Sequence, residues 1–537
     1  MATIIHQHDK RIGVTYAYES ISHWDKDKKQ SRSKRKLIGI VDPQTGEIKP
    51  TSQTKRKASE MSDNSDANVA YLSARRTFYG ATYLFDCIGK ISGLEDDLKA
   101  CFPHNYKQML SIAYFLILED KNPLNRFPKW SKLHTHPHGE TITSQRSSDM
   151  FAEITESQRL QFFRHQARRR AENEYWAYDT TSISSYSEML RQVSFGNNKD
   201  HDKLPQINLA LLYGETCCMP FYYRKLAGKI SDVSTVKQLI RDMDFMGYKK
   251  IKLVMDRGFY REKNINDLLS EHLKFLIGVK LSLKYVHKEL EATRESIREW
   301  MNFMPDKEAY GITVPIWWKH TQARPYKKDE VIGRRRMYLH LYYDPIKALE
   351  DEKDFTKLIC RLYNELETGN RVPSNEAQYA KFFDVSTTPV RGQKIVAKED
   401  EMIAAKKNFG YFSLLGNSRL TPEAALDIYR KKDVAEKAFD NVKDRLEMRR
   451  LNVSSDLSLD GKLFVMFIAL IFISFIHNAM KQAKLYLKYT MQELLDELEM
   501  IERFERQGHK PQLGEMTVKQ TDLFMALNIQ PPKSSLC

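Results

Sequence analysis

The sequence predicts an α/β fold, and three observations predict it. From Glu174 to Lys280 short apolar runs and helical periodicity follow one another in the order β-β-β-α-β-α-β. The first 50 residues alternate apolar and polar positions, in RIGVTYAYES and RKLIGIVDPQTGEIKP, with a turn signal at DPQTG. Between Tyr71 and about Arg170 the apolar spacing becomes helical, and no internal repeat is visible.

Taken in order, residues 1–60 form a small β-rich unit, and polar MSDNSDANVA reads as a linker. Residues 71–170 are helical in YLFDCIGKISGL, YKQMLSIAYFLIL and SDMFAEITESQRLQFFRHQARRR, and suit a DNA-binding region, although no helix-turn-helix signature stands there. Residues 171–280 hold the alternating elements. EYWAYDTTS is a strand ending in an acid, INLALLYG and CCMPFYYRKL are two strands joined by a tight turn, and STVKQLIRDMDFMG is a helix. KIKLVMD is a second strand ending in an acid, RGFYREKNINDLLS a loop running into a helix, and KFLIGVK a fifth strand. Residues 281–405 interrupt with charged, mixed sequence that includes GITVPIWWKH and RRRMYLHLYYDP. Residues 406–480 resume with FGYFSLLGN and a helix whose start is marked by Thr421 and Pro422. Residues 481–537 are a C-terminal helical region, where LLDELEMIERFERQ is amphipathic and suits assembly or ordinary packing.

Composition narrows the function. With 537 residues the chain has room for two to four domains. The 85 Lys and Arg against 70 Asp and Glu leave +15, which favours a polyanionic partner, nucleic acid first. MATIIHQHDK has no apolar core of a secretory signal. The longest apolar run, LFVMFIALIFISFI, is short of the roughly 20 residues of a membrane span and reads as a buried helix, so no membrane partner is expected. The six cysteines form no CxxC pair, which argues against a zinc ribbon and fits a reducing compartment. HTHPHGE gathers His134, His136 and His138, better read as polar loop residues than as a metal site.

The chemistry-bearing residues are carboxylates. Asp179 and Asp256 each end an apolar strand; if those strands are neighbours, the carboxylates repel unless a divalent cation lies between them. Taken singly, either is more commonly a turn former or a cap for the next helix. In DIYRKKDVAEKAFDNVK, Tyr429, Lys432, Glu436, Asp440 and Lys443 fall within roughly an 80° sector of one helix at about 100° per residue. Alone, such a stripe is a solvated face with spaced charge pairs. Packed against the two acids, it supplies Glu436 as a third oxygen ligand, with Asp440 as the rival. Three hard donors describe a magnesium site, and two ions about 4 Å apart clamp the attacking and leaving oxygens of phosphoryl transfer.

The spacing Tyr429, Lys432, Glu436, Lys443 resembles the tyrosine-arginine-glutamate-lysine signature of insertion sequence four family DDE transposases, with lysine where the family has arginine. YDTTSISSYS resembles the first catalytic strand, VMDRGFYREKNI the second motif, and Pro220, Gly228, Asp232 and Thr235 the stretch between them, so that the likeness spans about residues 174 to 480. The resemblance implies an RNase H-like catalytic core with a β-rich insertion before the last catalytic helix. It implies Asp179, Asp256 and Glu436 as catalytic metal ligands, two Mg²⁺ ions with Mn²⁺ substituting, and cut-and-paste transposition. The implied partners are double-stranded terminal inverted repeats and target DNA, bound by a homodimer in a prokaryotic, nucleoid-associated setting. Lys432 and Lys443 would hold flanking phosphates and Tyr429 a sugar or displaced base; Arg257 is a further candidate DNA contact. Lysine for arginine at 432 keeps a point charge and loses a bidentate fork. The basic clusters KDKKQSRSKRK, ARRR and GRRRM suit DNA backbone binding or a solvated face, and Trp317 and Trp318 suit base stacking or burial. An RNase H-like nuclease without strand transfer and a non-catalytic DNA-binding descendant are the alternatives.

Overall fold

The computed structural model describes residues 2–533 except 10–12, 26–29, 44–45, 50–74, 120–122, 170–173, 186–189, 192, 197–203, 231, 247–250, 325–328, 389–391, 433–454 and 507. The MSDNSDANVA segment, Glu436, Asp440 and Lys443 therefore lie outside the described residues. The chain divides into two compact units, one comprising Met1–Thr77, Glu502–Glu515 and Lys533–Cys537, the other Phe78–Ile501 and Met516–Pro532.

In the first unit β1 (Ala2–Asp9), β2 (Val14–Asp25), β3 (Gln30–Val41) and β4 (Ile48–Lys49) make an antiparallel meander. The DPQTG turn closes with the Gly46 N–H donating to the Asp42 carbonyl at 2.9 Å, and Gly46 takes a φ of +73° that glycine adopts without strain. β5 (Arg75–Phe78) begins the passage into the second unit.

The second unit opens with helices α1 (Gly80–Ile91), α2 (Leu94–Cys101), α3 (Tyr106–Leu118), α4 (Phe127–Leu133), α5 (Ser144–Glu153) and α6 (Glu156–Arg168). Thr155 builds a reciprocal capping box with Gln158 at the start of α6. Then follow β6 (Tyr175–Ser184), β7 (Gln206–Gly214), β8 (Pro220–Ala227), α7 (Asp232–Phe245), β9 (Lys252–Met255), α8 (Glu262–Ser270) and β10 (Lys274–Val279). These are the seven elements read from the sequence, in that order.

Residues between β10 and β16 carry α9 (Lys284–Thr293), β11 (Phe303–Met304), β12 (Ala309–Arg324), β13 (Asp329–Tyr343), α10 (Pro345–Glu367), α11 (Glu376–Phe382), β14 (Phe383–Thr388), β15 (Gly392–Ala397) and α12 (Glu399–Lys406). β16 (Tyr411–Gly416) returns to the sheet and α13 (Pro422–Lys431) crosses it. The rest is α14 (Asp456–Gln482), α15 (Met491–Glu499), β17 (Glu502–Glu505), β18 (Gln512–Leu513) and α16 (Val518–Ala526); β18, β17 and β5 form a three-stranded sheet in that order and belong mainly to the first unit.

One mixed sheet organises the second unit, in the order β11-β12-β13-β16-β10-β9-β6-β7-β8. β6, β9 and β10 run parallel, whereas β7, β8, β13 and β16 pair antiparallel with their neighbours. Every residue of β6 and β7 is buried, as strands covered on both faces must be. β12 and β13 thus extend the same sheet, while α10, α11, β14 and β15 enclose a separate small core of Leu362, Leu366, Tyr379, Phe382 and Phe383.

α14 is long and apolar enough to cross a membrane, yet 78% of its most apolar stretch is buried in the protein. Phe464 meets the rings of Phe102, Phe162 and Phe163, and Phe472 those of Phe85 and Tyr114. Gly461 allows the closest approach: a Cβ there would stand 2.2 Å from the Phe151 carbonyl of α5. The Tyr213 hydroxyl donates to Ser474, tying β7 to this helix.

Candidate active site

β6 and β9 are neighbours and parallel, registered Trp176 to Leu253 and Tyr178 to Met255. Asp179 is the next residue on β6 and Asp256 the residue directly after β9, which brings both carboxylates to one level on one sheet face. One expectation needs correction, since Asp179 does not end its strand. β6 runs on to Ser184 because β7 pairs along its other edge as far as Ser184 opposite Gln206; what stops at Tyr178 is the pairing with β9. Asp179 is 8% exposed, and its Oδ1 accepts the Thr180 N–H at 2.7 Å.

Asp256 does leave its strand. The chain turns at once into a short 3-10 turn, Arg257–Phe259, whose Phe259 N–H donates to the Asp256 carbonyl at 3.1 Å. Phe259 is buried with its ring centroid 5.1 Å from that of Tyr178, so apolar packing anchors the turn beneath while Arg257 and Gly258 stay exposed above. Arg257 thus adjoins the acids at the surface.

α13 begins where Thr421 and Pro422 forecast, with the Thr421 hydroxyl accepting the Ala424 N–H at 3.2 Å. It lies across β9, β10, β12 and β13 and is tied down at both ends. At its start the Tyr342 hydroxyl donates to the Pro422 carbonyl at 2.7 Å, and Lys307 pairs with Asp427. At its end Lys431 reaches the buried Glu215 carboxylate at 2.7 Å, and that bond raises the Lys431 ammonium above the ordinary lysine range.

So held, α13 delivers Tyr429 to the acids: its hydroxyl donates to Asp256 Oδ1 at 2.8 Å. Gly278 on β10 makes this possible. A Cβ at that position would stand 2.8 Å from the Tyr429 hydroxyl and 3.0 Å from the Arg257 nitrogen, too close for either to stay. Lys432 is 4% exposed, its ammonium 5.5 Å from the centre of the Tyr429 ring.

The structure therefore brings together Asp179, Asp256, Tyr429 and Lys432, with Arg257 alongside. Glu436 and Lys443 follow the described end of α13. Among the described residues no group of three or more His, Cys, Asp or Glu converges as a metal site. In particular, His134 bonds the Trp130 carbonyl and Glu499, and His136 bonds the Ser111 hydroxyl. Asp179 and Asp256 supply hard oxygen donors of the kind a divalent cation takes, and their shared level fits one ion between them.

Two positioning residues escaped the sequence reading. Glu215 sits in the tight turn after β7, where an acid reads as a turn former. Gly278 had a signal in KFLIGVK, since glycine inside a strand marks a close approach by another group.

Among curated proteins, none matches the chain. A piggyBac transposase, solved by cryo-electron microscopy in a synaptic complex with hairpin DNA, aligns over 77% of this chain and 70% of its own at 10% identity. Its TM-score is 0.32, too low for any argument to rest on. The family model described as Transposase DDE domain matches residues 177–472, more than half the chain and a span that includes every candidate site residue, and the chain belongs to that family.

Proposed function

We propose that this chain is a DNA transposase of the insertion sequence four group, cleaving at inverted-repeat ends and joining the 3′-hydroxyl to target DNA. The observation that carries the reading is the placing of Asp179 and Asp256 at one level, each one residue past the last paired residues of adjacent parallel strands, with Tyr429 of α13 bonded to Asp256. The sheet supports an RNase H-like core: β8, β7 and β6 form an antiparallel run and β9 and β10 continue parallel to β6. On this reading residues 281–405, holding α9 to α12, are the insertion before the last catalytic helix.

DDE transposases generally use divalent metal ions. Asp179 and Asp256, with Glu436 as third ligand, would hold two Mg²⁺ ions here, and when bound these supply Lewis-acid activation of the attacking oxygen and charge stabilisation at the leaving one. The protein's own part is positional. Tyr429 fixes the rotamer of Asp256 and restrains the carboxylate through a hydrogen bond to the ionised group. The burial of Asp179 and Phe259 keeps the floor of the site from moving. Arg257 and Lys443 would meet phosphates flanking the scissile bond. Lys432, expected from the sequence to hold a flanking phosphate, is buried beside the Tyr429 ring and would act instead by setting the ring's place and the local positive potential. In the DNA complex the protein would act as a homodimer on paired ends, in the nucleoid.

The test uses purified protein and labelled DNA carrying the presumed element end, with Mg²⁺ or EDTA. The expected result is metal-dependent cleavage followed by joined products, lost in Asp256→Asn and Glu436→Gln while DNA binding persists. Cleavage without joined products would leave a nuclease, and undiminished cleavage in both variants would overturn the site.

A further inference from the structure

The β12–β13 hairpin reaches beyond the sheet, since β13 pairs with β16 only over Tyr338–Tyr343. Past Tyr338 the ribbon is two strands wide, and its two faces differ. On one face Trp318 is 8% exposed and donates its Nε1–H to Asn266 at 2.9 Å, and His320 bonds the Ser270 hydroxyl at 3.2 Å. α8 covers that face. On the other face the cross-strand pairs are Pro315 with Tyr338, Trp317 with Arg336, and Lys319 with Arg334. Trp317 is 70% exposed, and Lys319, Arg334 and Arg336 are exposed with it.

Among the described residues no carboxylate pairs with Lys319, Arg334 or Arg336; the Arg336 guanidinium lies 5.8 Å from the Tyr338 ring centre. Lys319 and Arg334 stand directly opposite one another, where like charges repel. A ribbon that holds three cations with no carboxylate partner among the described residues, and an exposed indole on the same face, is arranged for a polyanion that also offers flat or sugar surface.

We propose that this face is a docking surface for the phosphate backbone of duplex DNA flanking the cleavage point. The proposal rests on the transposase reading for where the cleavage point lies. Gly278, Leu414 and His340 pair across β10, β16 and β13, so His340 shares a sheet face with Gly278 and hence with Tyr429 and Asp256. Arg336 lies on that same face, four residues along β13 from His340. Three strand spacings and four residues place it on the order of 20 Å from Asp256. At about 3.4 Å per base pair that is about six base pairs. The surface therefore holds an arm of the duplex and leaves the acids to the scissile phosphate.

The experiment is fluorescence anisotropy of the full chain with duplexes of the presumed end, in EDTA, from 50 to 200 mM salt. Arg334→Ala with Arg336→Ala is expected to flatten the slope of log affinity against log salt by about 1.8, the loss of two phosphate contacts. The paired lysine variant, Arg334→Lys with Arg336→Lys, retains the slope, and Trp317→Ala weakens binding without changing it. Duplexes with an arm shorter than about six base pairs on the ribbon side abolish the difference between wild type and the double alanine variant. Wild-type affinity and slope in the double alanine variant would overturn the proposal, as would competition by polyglutamate equal to that by DNA of the same charge. A wild type that cleaves DNA while the variant binds unchanged retires this surface alone. A wild type that shows the salt-slope difference but never cleaves retires the transposase reading and leaves the surface standing.

Discussion

Gly278→Ala changes one hydrogen into a methyl group, yet it acts on the joint between α13 and the acids. The new Cβ would stand 2.8 Å from the Tyr429 hydroxyl, 3.0 Å from the Arg257 nitrogen and 3.3 Å from the Arg257 Cβ. The first contact is with a side-chain end and is relieved if Tyr429 swings away, at the expense of its bond to Asp256. Losing a hydrogen bond to an ionised group costs about 1.5 to 3 kcal/mol, and residual crowding of the Arg257 backbone adds about 1 to 2 kcal/mol. The variant is expected to lose about 3 to 5 kcal/mol in urea unfolding of metal-free protein. Tyr429→Phe alone loses only the hydrogen bond. In the Tyr429→Phe background the hydroxyl that the methyl would strike is gone, so Gly278→Ala should cost about 1.5 kcal/mol less there than in wild type. The assay is a double-mutant cycle of unfolding midpoints, with cleavage measured on the same four proteins. An equal cost of Gly278→Ala in both backgrounds would refute the claim that this glycine exists to admit the Tyr429 hydroxyl.

Other predictions concern charge. With Asp179 and Asp256 side by side, millimolar Mg²⁺ at about 100 times its dissociation constant should stabilise the protein by about 2.7 kcal/mol; Asp179→Asn and Asp256→Asn should lose this shift in thermal unfolding and lower cleavage at least about 100-fold. A shift retained in both variants would mean that the ion binds elsewhere. Burial pushes the His340 imidazole down to about 4, below the roughly 6.5 of an unfolded chain. The unfolded state then takes the proton first, so this stability is intact above pH 6.5 and lost as the pH falls from 6.5 through 4; the unfolding free energy from urea titrations should fall by about 2 kcal/mol between pH 7 and pH 5, and His340→Phe should flatten that fall. Lys431→Ala leaves the buried Glu215 carboxylate without its ammonium; because Lys431 is 54% exposed, solvent screening limits the cost to about 1 kcal/mol, and Glu215→Gln in the same chain should recover most of it.

By itself the sequence determined the elements around the site. Apolar runs marked β6 to β10, the Thr421–Pro422 pair marked the start of α13, and Asp179 and Asp256 stood out as a pair because two acids after apolar approaches on neighbouring strands repel unless a cation lies between them. Periodicity reports which way a side chain faces within its own element, and that local information was sufficient. What depended on pairing between distant segments was decided only by the tertiary structure. β6 continues past Asp179 because β7 lies along its outer edge, and nothing in YDTTSIS announces a neighbour some 30 residues on. Trp317 and Trp318 are indistinguishable as letters, and only the seat of α8 under one face of the ribbon buries Trp318 and leaves Trp317 in water. Glu215 is likewise ordinary in sequence, and Gly278 inside KFLIGVK signals a close approach without saying by what. Each acquires its role because α13 crosses the sheet at an angle set by packing, bringing Lys431 over one and Tyr429 over the other.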